Sequence, residues 1–585
     1  MKSFLRTLLA VLLGELILLA VAVGWVATKL QDDVDVERGS VLVQTIDGII
    51  PDTNPPGGMP MPGAETGPTH MSILENLEKA RHDERIQAVV LKLGSPAIGF
   101  GSMTELRERI HQLQAAGKPV WGHVTWLSRG NLYLGAACDS LFLLPQGYVG
   151  LRGFAAGRYF VARALEKLDV EPNTHRIGAY KAMDELVNRA SMSEESRENT
   201  NWLLDEIYPH YIETVEGDLG LAPGTLAGQV WEAGMLTPAE ALEIGLVDRL
   251  AYWDEMLTAA LELSGVEQDE DSEDGLALRP HVISGGDYAK VSRRDAGIDA
   301  DHTIAVVGAM GLIAGEQSGV QFPLGETMGA ETIAQAFADA VANDDVDAIL
   351  YRVDSGGGES SVSWRIQRAA LLAAEKKPIV VSMADVAGSG GYIICYPLKP
   401  LIANERCIVG SIGSISGKFN LHGLYDKLGI TWDFVTRGPN ALMESDYYNY
   451  TDEQWASFKQ RHWQDYYDWI EDVALHRGKT PAEIDSVGRG RVFTGTQAVA
   501  IGLIDQVGTF DDAVAALKAK AEIPADAEVD FVYYPEKKGF LEMLTSGDFA
   551  TAVQILARDL AARTLDPFRH EQTWAVTPQA GVHVD

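Results

Sequence analysis

Residues 346–358, Val-Asp-Ala-Ile-Leu-Tyr-Arg-Val-Asp-Ser-Gly-Gly-Gly, form a short apolar run that stops at three successive glycines. A run of that length, bounded by turn residues, predicts a buried strand, here Ala348–Val353. Shifted by 260 residues, the chain falls into register with itself. Ile86-Gln87-Ala88-Val89-Val90-Leu91 lies over Val346–Tyr351, Gly150-Leu151-Arg152-Gly153 over Gly410-Ser411-Ile412-Gly413, and Leu168-Asp169-Val170 over Leu428-Gly429-Ile430.

Working outward from the quoted run, the second copy predicts strand Thr303–Val307, helix Glu331–Ala342, the strand at Ala348, helix Ser363–Glu375, strand Pro378–Met383, a helix from Ser389 and strand Pro400–Ala403. The first copy echoes it with helix Met71–Arg81, strand Ala88–Leu93, helix Thr104–Ala116, strand Pro119–Val124, a helix near Asn131 and strand Ser140–Leu144. Short apolar strands alternating with amphipathic helices predict an α/β protein whose parallel sheets are covered by helices. The copies close on similar phrases, Thr237 to Asp248 and Thr496 to Asp505, where the register slips by three.

The chain has 585 residues, too many for one ordinary core. The expected division is an anchor at 1–30, a first repeat at 40–262, an acidic linker and connecting segment at 263–300, a second repeat at 301–522 and a C-terminal extension at 523–585. Thr7 to Ala27 is almost wholly apolar, with Glu15 its one charge, and is long enough to cross a bilayer. Lys2 and Arg6 before it, and Asp32, Asp33, Asp35 and Glu37 after it, predict a cytoplasmic N-terminus and an exported body. The formal charge of −35 argues against nucleic acid as a partner, because a phosphate backbone calls for a cationic surface. Cys138, Cys395 and Cys407 are too few and too scattered for a disulfide framework or a zinc ribbon. The loop from Pro51 to Gly63 reads as a solvent loop, and the amphipathic stretches beyond residue 535 read as packing or oligomer contacts.

The register also exposes two complementary absences. Ser389, in Val386-Ala387-Gly388-Ser389-Gly390-Gly391-Tyr392, lies over Arg129, and Lys181, in Gly178-Ala179-Tyr180-Lys181-Ala182-Met183, lies over Ala441. A serine between glycines at a strand-to-helix turn is either a helix cap or an accessible nucleophile. The glycines 356–358 end a strand one βαβ unit earlier, and loops at the carboxyl ends of parallel strands converge. Their N–H groups suit a developing oxyanion, whereas the first copy has Gly94-Ser95-Pro96-Ala97-Ile98 there. No histidine sits in a comparable loop near Ser389, which leaves Lys181 as candidate base, provided burial lowers its pKa.

Taken in order, GAYKAM, DSGGG, AGSGGYI and VGSIGSI resemble the signal peptide peptidase family of the long, duplicated type (protease IV), over nearly the whole chain. The resemblance implies a Clp protease/crotonase type of fold in two tandem repeats behind an N-terminal transmembrane helix. It implies a serine endopeptidase with nucleophile Ser389, general base Lys181, oxyanion donors Gly357 and Gly358, and Ser411 orienting the lysine amine. No metal or nucleotide is needed for such chemistry. It further implies peptide substrates, remnant signal peptides among them, a homo-oligomer (a tetramer), and a place in the bacterial cytoplasmic membrane with the body on the exported side. Gly356 stands where the family has proline and Gly388 where it has alanine or serine; neither removes a functional group. The rival readings are a crotonase-like acyl-CoA enzyme and a non-catalytic membrane scaffold derived from a protease.

Overall fold

The structure, a computed structural model, describes residues 34–54, 67–265, 281–321, 325–536 and 583–584. The expected anchor at 7–27, most of the Pro/Met loop, the acidic run 267–273 and most of the C-terminal extension lie outside the described residues. Among the described residues no helix is long and apolar enough to cross a membrane.

The first repeat carries β1 (Ser40–Ile49), β2 (Ile86–Ala97), β3 (Val120–Leu127), β4 (Ser140–Val149), β5 (Ala156–Gly157), β6 (Glu171–Ile177), β7 (Arg249–Leu250) and β8 (Val282–Ser284). Six of these form a parallel sheet in the order β7-β4-β3-β2-β1-β8. The second repeat begins with β9 (His302–Met310) and a small sheet of β10 (Leu312–Ile313), β11 (Gly319–Gln321) and β12 (Gly325–Met328). It continues with β13 (Ala348–Ser355), β14 (Ile379–Gly388), β15 (Leu401–Ala403), β16 (Ile408–Gly410), β17 (Ser414–Asn420), β18 (Val492–Thr494), β19 (Gln506–Val507) and β20 (Val529–Tyr534). Its main sheet runs β18-β16-β14-β13-β9-β20, with β15 and β19 branching from β14. The ladders are parallel except at the edge, where β18 runs antiparallel to β16.

Two segments that the sequence places outside the repeats complete the sheets. β8, from the connecting segment, pairs with β1, and β20, from the expected extension, pairs with β9. The acidic and register-slipped surroundings hide both strands from a search for apolar runs. The predicted strands are found, but several run further at their carboxyl ends. β13 continues through Asp354 to Ser355 and β14 through Asp385 to Gly388, because backbone pairing persists where the apolar pattern has already ended.

Residues on β9 alternate between two cores, as a period of two requires. Ile304 and Val306 face a core shared with the first repeat and with the helix Phe510–Lys520, whereas Ala305, Val307 and Ala309 face the second repeat's own helices. The two repeats thus bury apolar surface against one another. A buried polar brace crosses the same boundary. All five N–H groups of Arg352, on β13, are taken: Nε and Nη2 by Asp52, Nη1 and Nη2 by Glu105, and Nη1 by Ser382, at 2.7–3.2 Å. Nearby, the carboxylate of Asp385 accepts from Ser102 N (2.9 Å), Ser102 Oγ (2.6 Å) and Gly99 N (3.2 Å). Burial raises the pKa of both Asp354 and Asp385, and Asp385 raises that of Asp354 further by repulsion.

One more pairing joins the repeats and positions the site. β6 leaves the first repeat and pairs antiparallel with β17 of the second, from Ser414 opposite Ile177 to Asn420 opposite Glu171. Lys181 follows β6 by four residues and Ser411 precedes β17 by three, so this ribbon carries both to the same place.

Candidate active site

Ser389 makes the turn between β14 and the helix Gly390–Ile393 by itself, at φ 55° and ψ −119°. Few non-glycine residues occupy that region, and those that do are held there by their surroundings. Here Ser389 N donates to Gly410 O (2.8 Å), while Tyr392 N and Ile393 N both donate to Ser389 O (3.0 Å). The side chain caps no helix N–H, which sets aside the helix-cap reading and leaves Oγ free for another partner.

That partner comes from the other repeat. Lys181 Nζ lies 2.9 Å from Ser389 Oγ, 2.9 Å from Ser411 Oγ and 2.9 Å from Ser411 O. Lys181 is buried, and burial brings its ammonium down from 10.5 to about 7. The stoichiometry fits both protonation states. A neutral amine has two N–H groups for Ser411 and one lone pair for the Ser389 hydroxyl proton; an ammonium has three N–H groups for the same three oxygens. A proton can therefore pass from Ser389 to Lys181 without any heavy atom changing partner.

The lysine loop is seated on residues 488–491, which the sequence reading did not single out. Tyr180 N donates to Arg489 O (3.0 Å), and Gly490, at φ 83°, lies so close that a Cβ there would come within 2.4 Å of Lys181 N. Behind the ribbon, His462 on the helix Asp452–Arg477 joins both strands, its Nδ1 2.9 Å from His175 Nδ1 on β6 and its Nε2 2.7 Å from Ser414 Oγ on β17. Nothing local in the sequence marks these residues, because each acts on a segment far away along the chain.

Of the two expected oxyanion donors, the structure separates one from the other. Gly357 N donates to Ser355 Oγ (3.2 Å). Gly358 N makes no hydrogen bond among the described residues, and neither does Gly390 N, the first N–H of the helix after Ser389. The two lie side by side: a Cβ on Gly390 would be 3.0 Å from Gly358 N. Gly390 is not among the donors expected from the sequence, although its place directly after the serine, at a helix start, signals an unpaired N–H. Gly358 is fixed in its place by φ 153° and by Ile313, whose O would lie 2.0 Å from any Cβ. Gly358→Ala is therefore expected to displace the loop and lower kcat by roughly 10²–10³ with little change in KM, which steady-state kinetics on a peptide substrate would read.

At the equivalent place in the first repeat these features are lost. Arg129 Nη1 donates to Gly153 O (2.9 Å) and its guanidinium stacks over Phe154 at 4.1 Å. Asn131 Nδ2 closes the neighbouring loop by bonding Gly94 O and Trp126 O.

A strained serine facing a buried lysine at the meeting of two α/β repeats is the arrangement of a serine hydrolase. The model for Peptidase family S49 matches the chain twice, at residues 112–267 and 372–524. The chain is 30% identical over 517 residues to "Serine protease SPPA, chloroplastic" of Arabidopsis thaliana, covering 88% of this chain and 74% of that one. It is 31% identical over 483 residues to "Protease 4" of Salmonella typhi, covering 81% of this chain and 75% of that one. Among solved structures, a membrane protease specific for a stomatin homolog from Pyrococcus horikoshii matches at TM-score 0.22 and 15% identity, over 37% of this chain and 77% of that one. A ClpP1 variant from Listeria monocytogenes matches at TM-score 0.24 and 12% identity, over 36% and 94%. The chain belongs to peptidase family S49 and is a serine endopeptidase.

Proposed function

We propose that Ser389 is the nucleophile and Lys181 the general base of a peptide-bond hydrolase whose site is built from both repeats of one chain. The observation that carries this is the 2.9 Å contact of Lys181 Nζ with Ser389 Oγ, made where burial holds the amine near pKa 7. Lys181 takes the Ser389 proton as Oγ attacks the carbonyl carbon; the oxyanion rests on Gly358 N and Gly390 N. The lysine then hands its proton to the leaving amine, and water, activated in the same way, releases the acyl-enzyme. Ser411 holds the amine through its Oγ and O.

The substrates are apolar, extended peptides, with remnants of cleaved signal peptides as the leading class. The resemblance to the signal peptide peptidase family supports this, and Gly356 and Gly358, in the loop beside Ser389, are exposed. The apolar run 7–27 anchors the chain in a bacterial cytoplasmic membrane, with the body on the exported side, and copies of the chain associate.

The test is hydrolysis of a synthetic signal peptide, followed by mass spectrometry, as a function of pH. Because the base must be neutral, kcat/KM is expected to rise about tenfold per pH unit below about 7 and to level off above it. Ser411→Ala removes an acceptor that favours the ammonium, so its acidic limb is expected to move down by about one unit. A rate flat from pH 5 to 9, or no cleavage of apolar peptides by the intact chain, would contradict the assignment.

A further inference from the structure

Two supports hold Lys181 where it meets Ser389: the loop that bears it, and Ser411, whose oxygens accept from its amine. One residue of the second repeat touches both. Arg491 O accepts from Ser411 N (2.8 Å), and the Arg491 guanidinium lies 4.0 Å from the ring centre of Tyr180, the residue before the lysine. The same guanidinium lies 5.0 Å from the ring of Trp202, on the helix Glu194–Asp218 of the first repeat. Asn199 of that helix brackets the backbone of Val492, its Nδ2 donating to Val492 O (2.8 Å) and its Oδ1 accepting from Val492 N (2.9 Å). Trp202 packs edge-on against Phe493 at 5.5 Å. Arg491 is thus fixed to the first repeat through the residues that follow it.

The guanidinium also donates to Glu198 (3.2 Å), as does the Tyr180 hydroxyl (3.1 Å). The Glu198 side chain is 57% exposed, and an ion pair so open to solvent holds little. Arg491 itself is 21% exposed, and a shielded guanidinium over an aromatic face is the firmer contact. Burial is the one cause that lowers the pKa of Lys181. Charged neighbours are engaged elsewhere: Asp184 with Thr174 and Asn188, Glu185 with Arg176 and Ser193, and Arg489 with Asp485. The charge state of the lysine therefore depends on how closely its loop is held down.

We propose that Arg491 is a positioning residue: its stack on Tyr180 and its carbonyl on Ser411 hold the lysine loop down, so that the amine stays buried between Ser389 and Ser411. When the stack is lost the loop lifts, water reaches the amine, and the ammonium is favoured. The inference rests on the Ser389–Lys181 reading above, and the experiment separates the two.

The full chain is assayed on the synthetic signal peptide from pH 5 to 9. Arg491→Met keeps the backbone bond to Ser411 and much of the side chain's bulk, and its melting temperature is expected to stay near the parent's. Its acidic limb is expected to move up by about 0.8 unit, so that kcat/KM falls about fivefold at pH 6.5 and less than about twofold at pH 9, where the amine is neutral in both. Tyr180→Leu alters no charge near neutrality and is expected to move the limb as far, with the double variant moving it no further. Glu198→Gln is expected to leave the limb in place. An Arg491→Met limb that coincides with the parent's, or a loss equal at every pH, would overturn the positioning role while leaving the Ser389–Lys181 reading standing. A shift that Tyr180→Leu does not share would trace to the cation's charge and overturn the stack. A parent with no acidic limb would overturn both readings.

Discussion

Lys181→Met is expected to lower kcat/KM for a peptide substrate by roughly 10⁴-fold, because the serine loses the amine that contacts its Oγ and that we propose takes its proton. Methionine keeps the length and apolar volume of the lysine stem, so the buried position stays filled and the melting temperature stays near that of the parent. Ser389→Ala is expected to cost at least as much. The double variant should be no worse than the more damaging single one, since the two groups act as a unit. The residual rate belongs to the oxyanion donors and to binding. Initial rates with purified variants check this; a Lys181→Met enzyme within tenfold of the parent would remove the lysine from the mechanism. Two independent losses that multiplied would argue that the groups act separately.

Arg352→Met is expected to have the largest effect on stability. Arg352 is completely buried and donates to two carboxylates, Asp52 and Glu105, that come from the first repeat. Burial alone would raise the pKa of Glu105, but Arg352 and His70 more than offset it and hold the group at about 2. Removing the guanidinium strands two buried anions, which typically costs about 3–5 kcal/mol. The loss should appear as a lower denaturation midpoint and, because the brace spans the repeats, as a loosened Ser389–Lys181 contact. Adding Asp52→Asn and Glu105→Gln should recover much of the midpoint, since neutral amides tolerate burial better than unpaired anions. The pH dependence has a definite sign. Glu105 titrates lower in the folded chain than in the unfolded one, so its contribution is present above about pH 4.5 and is lost as pH falls through about 2. An Arg352→Met chain with an unchanged midpoint would contradict the brace.

The strands and helices were legible because each is a short apolar run or an amphipathic period, and the repeat register made each half check the other. β8 and β20 were not, because their neighbours in sequence are polar and their apolar partners lie in β1 and β9. Ser389 and Lys181 could be singled out because the duplication left each without a counterpart. The division of labour between Gly357 and Gly358 could not, since it depends on which way one N–H points, and Ser355 Oγ decides that. Nor could the seat of the lysine loop, because Gly488-Arg489-Gly490 reads in sequence as an ordinary turn, and Gly490 shows its purpose only where its backbone meets Lys181.

Covalent labelling by a fluorophosphonate, with the modified peptide identified by mass spectrometry, tests the central claim most directly. The adduct is expected on Ser389, with a labelling rate that climbs with pH through about 7 in the parent and falls by several orders of magnitude in Lys181→Met. An adduct on another serine, or Ser389 labelling at the parental rate without Lys181, would contradict a site built from one serine and one lysine across two repeats.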